Sequence, residues 1–234
     1  MKIEKSWKIY QKDVEGLAHI QNVLSYPIKY YRKRIQKIGF SGKKTKLLDA
    51  ACGAGVWGIA ASYLSGEVAG IDSTEKYLKV AQDIQNSLKI KNLKLKIGKL
   101  EHLPYLDKYF DYIICYNAWM YTDRVKSLGE MFRVLKPGGK IYLGCIAGLG
   151  YYLLLTLQGM KEGNRNLIFT ALRAIKDRVY MTEKESRKLL EKQGFKILGL
   201  SGAGVLGDPK VKIEPDFRIK KIGFWNIYEI LAEK

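Results

Sequence analysis

From Lys46 onward, short apolar runs alternate with segments whose apolar residues recur every three or four positions. The runs predict strands near 46–50, 67–71, 93–97, 111–116, 140–146, 195–200 and 222–232. The periodic segments predict helices near 55–64, 75–89, 123–135 and 182–193. Such alternation belongs to the α/β class, a parallel sheet with helices on both faces. Thr182 followed three residues later by Glu185 reads as a capping box, and Gly194 supplies a stop. Pro137-Gly138-Gly139 marks a turn ahead of a strand.

Two regions depart from plain alternation. In residues 1–45, Val14, Leu17, Ile20, Val23 and Leu24, then Ile28, Tyr31, Ile35 and Ile38, recur at helical steps on either side of Pro27. They predict two helices forming an N-terminal cap, ahead of a main domain over 46–234. Residues 148–180 and 202–221 are longer than the alternation needs. The first leaves from the carboxyl end of the fifth strand, the end at which open α/β sheets bind ligands, so it is expected to line a substrate site. The uncharged stretch between Lys140 and Lys161 contains four glycines. It reads as a buried strand followed by an apolar helix rather than as a membrane span.

The chemistry concentrates in Asp49-Ala50-Ala51-Cys52-Gly53-Ala54-Gly55, where an apolar strand ends in an acid and a run of tiny residues leads into a helix at Val56-Trp57. Small residues let the backbone approach a ligand, and a β-carbon at Gly53 or Gly55 is expected to stand where that ligand lies. Seventeen residues after Gly55, Asp72 ends the next strand. A carboxylate there can accept both hydroxyl protons of a ribose. Taken alone it also reads as a cap for the helix that follows.

These segments, with Gly98-Lys99-Leu100-Glu101-His102-Leu103-Pro104, Phe110-Asp111 and Arg133-Val134-Leu135-Lys136-Pro137-Gly138-Gly139, resemble the class I S-adenosylmethionine-dependent methyltransferases, in particular the methyltransferase-11 group that includes ubiquinone and menaquinone biosynthesis enzymes. The resemblance covers roughly residues 45–146. It implies a Rossmann-like, mostly parallel seven-stranded sheet whose last strand runs antiparallel between its neighbours. It implies S-adenosylmethionine as cofactor, with Asp49 and the backbone of Ala51, Cys52, Gly53, Ala54 and Gly55 at the methionine end and Asp72 on the ribose. By the same resemblance Ser73 and Tyr77 lie beside the adenine, Leu100 presents its amide to it, and Tyr116 and Asn117 approach the methionine amine. The family usually has glycine where this chain has Ala51, and commonly aspartate where it has Lys99. Lys99 cannot accept the adenine amino group, and Glu101 is the neighbouring acceptor. The Asn/Asp-Pro-Pro-Tyr/Phe signature of base-amine methylating enzymes is replaced by Tyr116-Asn117-Ala118-Trp119.

The composition adds a charge of +18, and residues 1–46 alone hold twelve Lys/Arg against three acids. With the aromatics Trp7, Tyr10, Tyr30 and Tyr31 interleaved, this suits RNA, an anionic membrane surface or an acidic small molecule, although a lysine-rich composition also produces it. Cys52, Cys115 and Cys145 make neither a disulfide framework nor a zinc site, which points to a reducing, cytoplasmic setting without a metal. Neither His19 nor His102 is expected at the methyl-transfer end, and no catalytic base is assigned. The apolar segment 149–157 favours a small apolar or amphiphilic methyl acceptor, with Tyr10, Tyr121, Tyr151 and Tyr152 near the expected mouth. An RNA methyltransferase and a non-catalytic scaffold with the cofactor fold are the competing readings. The sequence leaves the oligomeric state open.

Overall fold

The computed structural model describes residues 26–203, 206 and 227–234, together with the backbone of 220–221 and 224–225. Tyr10, His19 and the first of the two cap helices lie outside the described residues. The second cap helix forms directly after Pro27 as α1 (Ile28–Lys37), burying Ile28, Tyr31 and Ile35 on one face. The first strand opens at Gly42, earlier than its apolar run, giving β1 (Gly42–Ala50).

The remaining order is α2 (Val56–Ser62), β2 (Ser65–Asp72), α3 (Glu75–Ser87), β3 (Leu93–Ile97), β4 (Phe110–Tyr116), α4 (Arg124–Val134), β5 (Leu135–Ala147), α5 (Leu149–Glu162), α6 (Arg165–Lys176), α7 (Glu183–Gln193) and β6 (Lys196–Gly202). A small ribbon, β7 (Lys220–Lys221) with β8 (Phe224–Trp225), precedes β9 (Ile227–Glu233). The seven-stranded sheet runs β3-β2-β1-β4-β5-β9-β6. All pairings are parallel except those of β9, which is antiparallel to both β5 and β6. The α/β architecture and the antiparallel last strand are as expected, but that strand starts at Ile227 and ends at Glu233 instead of covering 222–232.

The two faces of the sheet carry two cores, sorted by the two-residue strand period. Leu47, Val68, Ile114 and Tyr142 point toward α1, α2 and α3. Leu48, Ala69, Ile113, Ile141 and Leu143 point toward α4, α5 and α7. The 148–180 insertion is a helical hairpin of α5 and α6. It closes so tightly that a β-carbon at Gly159 would stand 2.7 Å from Ile168 Cγ1. The Thr182–Glu185 capping box forms in full and α7 ends on Gly194 in the left-handed conformation. Because β1 reverses the winding of the sheet between β2 and β4, the carboxyl ends of these three strands open a crevice between the loops that follow them.

Candidate active site at the carboxyl ends of the central strands

A cavity of about 320 Å³ occupies that crevice. Its wall consists of Asp49, Ala51, Cys52, Gly53, Ala54, Val56 and Trp57 at and after the end of β1, Asp72, Ser73 and Tyr77 at and after the end of β2, and Tyr116, Asn117, Ala118, Tyr121 and Thr122 at and after the end of β4. Of the residues singled out from sequence for the cofactor, Asp49, Ala51, Cys52, Gly53, Ala54, Asp72, Ser73, Tyr77, Tyr116 and Asn117 meet there.

The loop after β1 is built from left-handed backbone: Ala51 has φ +59°, Gly53 +52° and Gly55 +75°. Gly55 does not line the cavity. A β-carbon on it would lie 2.8 Å from Ala81 Cβ, so its smallness serves the packing of α2 against α3, not ligand clearance. Gly53 is the glycine that faces the cavity.

The two carboxylates are held differently. Asp49 is 1% exposed, and its Oδ2 accepts the Gly58 amide at 2.6 Å. Among the described residues its other oxygen has no hydrogen-bond partner. Burial, with the nearby Asp72 charge adding to it, pushes the Asp49 carboxyl up to about 7, against the opposing Gly58 bond. Asp72 Oδ2 accepts the Gly53 amide at 2.8 Å and its Oδ1 accepts the Thr74 amide at 2.9 Å. It therefore ties the glycine loop to the start of α3, whose N-cap is Thr74, not Asp72. A carboxylate offers about four lone-pair directions, so each oxygen keeps one for a ligand.

Trp57, Val56, Ala118 and Thr122 also line the cavity, outside the residues expected from sequence to hold the cofactor. Only Trp57 had a sequence signal, a large aromatic opening the helix behind a glycine loop. Its ring packs 5.0 Å from Tyr116 and 5.9 Å from Tyr142. Tyr142 in turn donates to Glu229 at 2.5 Å, and Glu229 accepts from Arg34 of α1 at 2.6 Å. One wall of the cavity thus rests on a buried ion pair between the first described helix and the last strand.

Lys99, Leu100 and Glu101 follow β3 on the same edge of the sheet but do not line the cavity. Lys99 is exposed, Leu100 is in the core, and Glu101 Oε1 accepts the Asp123 amide at 3.0 Å. Arg133 pins this loop through the Leu103 and Tyr105 carbonyls at 2.9 and 2.8 Å. His102 is exposed. Tyr151 and Tyr152, at the start of α5, stand behind the cavity wall, where the Tyr152 and Tyr121 hydroxyls are 3.5 Å apart. Burial raises the Tyr151 phenol to about 12 and moves Tyr152 in the same direction, so both stay protonated near neutrality and can only donate or accept hydrogen bonds. Among the described residues no group of three His, Cys, Asp or Glu side chains is placed to hold a metal ion.

Residues 41–194 match the family model described as a methyltransferase domain. Curated relatives include a demethylmenaquinone methyltransferase from Staphylococcus aureus, 37% identical over 143 residues, which are 59% of this chain and 58% of the relative. The chain thus spans a little over half the length of the curated relatives it matches. Among solved structures, a SAM-dependent methyltransferase from Aquifex aeolicus aligns with TM-score 0.60 at 17% identity, covering 87% of this chain and 88% of the other. Another from Methanosarcina mazei aligns with TM-score 0.60 at 20% identity over 84% and 95% of the two chains. The cyclase SpnF also aligns, with TM-score 0.60 at 15% identity over 88% and 80%, so the fold by itself does not set the reaction. With its sheet order, its glycine loop and the matched 154 residues from 41 to 194 in one frame, the chain belongs to the methyltransferase-domain family, the class I S-adenosylmethionine-dependent methyltransferases.

Proposed function

We propose that this protein transfers a methyl group from S-adenosylmethionine to a small apolar or amphiphilic acceptor, in a cytoplasmic setting, with residues 46–234 as the catalytic unit and 1–45 as its cap. The observation that carries this reading is the pairing of two carboxylates, Asp49 and Asp72, with an aromatic wall of Trp57, Tyr77 and Tyr116 around one cavity. In a chain with a surplus of eighteen positive charges, a buried site walled by acids suits a cationic ligand with an apolar body. Asp49, left half-protonated near neutrality by its burial, is the group that a cation would bring back to the ionised form.

The residues present fit the cofactor at its amino-acid and sugar ends. Asp49, the backbone of Ala51, Cys52 and Gly53, and Tyr116 with Asn117 would hold the methionine part, Asp72 the ribose, and Ser73 and Tyr77 the flank of the base. The fit is incomplete at the base edge, where Lys99 cannot accept and Glu101 is occupied by the Asp123 amide. When bound, S-adenosylmethionine supplies a methyl group already activated by a cationic sulfur. The chain's contribution is then alignment and exclusion of water, and holding reactants near contact is worth up to roughly 7–11 kcal/mol. Tyr121 and Thr122 form the cavity wall nearest the α5–α6 hairpin and would meet the acceptor, with Tyr152 bracing Tyr121 from behind.

The relatives' name makes demethylmenaquinone the first acceptor to try. The test is isothermal calorimetry with S-adenosylmethionine followed by transfer of labelled methyl. Wild type is expected to bind, Asp72→Ala to lose at least about tenfold in affinity, and label to appear in an extractable small molecule. Binding unchanged in Asp72→Ala overturns the cofactor site. Binding without label in any small acceptor, but with label in RNA, overturns the acceptor class.

A further inference from the structure

The α5–α6 hairpin packs Tyr152, Leu155 and Ile175 against the core but leaves several other large apolar side chains exposed. Leu153 is 46% exposed, Leu157 61% and Met160 63% on α5, and Phe169 is 69% and Leu172 47% exposed on α6. At 100° per residue, Leu149, Leu153, Leu157 and Met160 fall within one stripe of α5, running about 16 Å along its axis. Tyr152, Thr156 and Gly159, on the adjoining flank of the helix, are the residues it buries. Among the described residues nothing covers the outer stripe. Monomeric proteins rarely leave an apolar stripe of this length in water without a use for it.

The charge around this stripe selects the partner. On α6, Arg165 and Arg173 flank Phe169 four residues to either side, and Lys176 follows one turn beyond Leu172. Lys161 sits at the end of α5. Arg173 reaches Asp177 at 3.4 Å, whereas Lys161, Arg165 and Lys176 have no ion-pair partner among the described residues. Within the two helices four cations face a single acid, Glu162, which accepts from Gln158 at 2.9 Å. Exposed apolar residues flanked by cations, three of the four without an ion-pair partner among the described residues, match the acyl boundary of a bilayer and the anionic headgroups above it. No helix among the described residues is long and apolar enough to cross a membrane, so the hairpin would lie in the plane of the surface.

We propose that the outer face of the α5–α6 hairpin docks this protein peripherally on anionic lipid bilayers. The proposal does not depend on the identity of the methyl acceptor. It places the membrane beside the cavity, because α5 also carries Tyr152, whose hydroxyl lies 3.5 Å from that of Tyr121 on the cavity wall. An acceptor dissolved in lipid would then reach the site without crossing water.

The experiment is co-flotation of the full chain with vesicles of phosphatidylcholine alone and of phosphatidylcholine mixed with phosphatidylglycerol. The variants are Leu153→Glu with Phe169→Glu, and Arg165→Glu with Lys176→Glu. These side chains are exposed, so circular dichroism and the thermal midpoint should stay at wild-type values. Wild type should float with the anionic vesicles and be released by salt. The apolar double variant should lose at least about tenfold in partitioning, and the charge double variant should lose its preference for anionic vesicles. Failure to float, equal flotation with both lipids, or variants that float as wild type each overturn the proposal. So does sedimentation analysis revealing a dimer that Leu153→Glu with Phe169→Glu dissociates while vesicles are ignored. Calorimetry with S-adenosylmethionine on the same variants should be unchanged, which separates failure here from failure of the cofactor site.

Discussion

Ala51 has φ +59°, a left-handed conformation that costs a β-carbon-bearing residue roughly 1–2 kcal/mol. The family's preference for glycine at this position has its physical reason there: the turn is retained and alanine carries the strain. Ala51→Gly should therefore raise stability by about 0.5–1 kcal/mol after allowing for glycine's extra unfolded-state entropy, read as a higher urea midpoint at constant m. A lower midpoint would show that the turn relaxes around alanine. Asp49 gives the second residue-scale expectation. Its folded carboxyl is raised to about 7 from an ordinary value of 3.8, so the native state holds a proton more tightly than the unfolded chain. The associated stability is present below about pH 4 and lost as pH rises to about 7. Asp49→Asn removes that loss, so the variant's stability advantage over wild type, read from urea midpoints, should be smaller at pH 5 than at pH 8 and reach on the order of a few kcal/mol at most. The same variant should bind S-adenosylmethionine poorly, and wild-type affinity should fall between pH 8 and pH 5.5 as Asp49 is protonated.

At the level of elements, the strands followed from short continuous apolar runs because the central ones are buried on both faces of the sheet, and the helices from three-to-four-residue periodicity because each packs one face. Boundaries missed where the pattern carries no apolar signal. β1 begins in Gly42-Lys43-Lys44-Thr45, where burial is slight and backbone pairing with Ser65 of β2 extends the strand. The bend in β5 was equally hidden. Its pairing with β9 slips between Leu143 and Ile146, with Cys145 at φ +54°. Gly144 stands beside this bulge, and a β-carbon there would be 2.5 Å from Tyr116 Cδ2 and 2.8 Å from Tyr142 Cε1. Gly144→Ala is expected to displace Tyr116 from the cavity wall, costing about 1–3 kcal/mol in stability and weakening cofactor binding. Tryptophan fluorescence from Trp57, against which Tyr116 packs, should change in this variant and stay unchanged in Gly138→Ala, where a β-carbon meets nothing within 4 Å.

Across the whole molecule, α1 is fastened to the final strand by Arg34, 6% exposed, and Glu229, fully buried. Glu229 also accepts the Leu206 amide at 2.6 Å, and the Arg34 guanidinium lies 5.5 Å over the Trp57 ring. Removing one partner of such a pair leaves the other charge buried and uncompensated. Arg34→Met alone should cost about 3–5 kcal/mol, and Arg34→Met combined with Glu229→Gln distinctly less than the sum of the singles. Additive losses in a urea double-mutant cycle would show that the two side chains act independently. Because Trp57 and Tyr142 lie between this pair and the cavity, the single variant should also weaken cofactor binding.

The amino-acid order by itself determined the α/β alternation, the glycine loop and the placement of Asp49 and Asp72 at strand ends, because these depend on local periodicity and on which residues tolerate a tight left-handed turn. The resemblance in four short segments supplied the antiparallel last strand and the residues grouped around the cofactor. Only the tertiary structure decided that Gly55 is small for the sake of Ala81, that Lys99 and Glu101 stand away from the cavity, and that Arg34 meets Glu229 from the other end of the chain. It alone also turned Leu153 and Leu157 of the apolar segment after β5 outward while burying Tyr152 and Thr156. These are contacts between positions distant in sequence, and nothing in a one-dimensional pattern records which buried faces will share a neighbour once the sheet has closed its order.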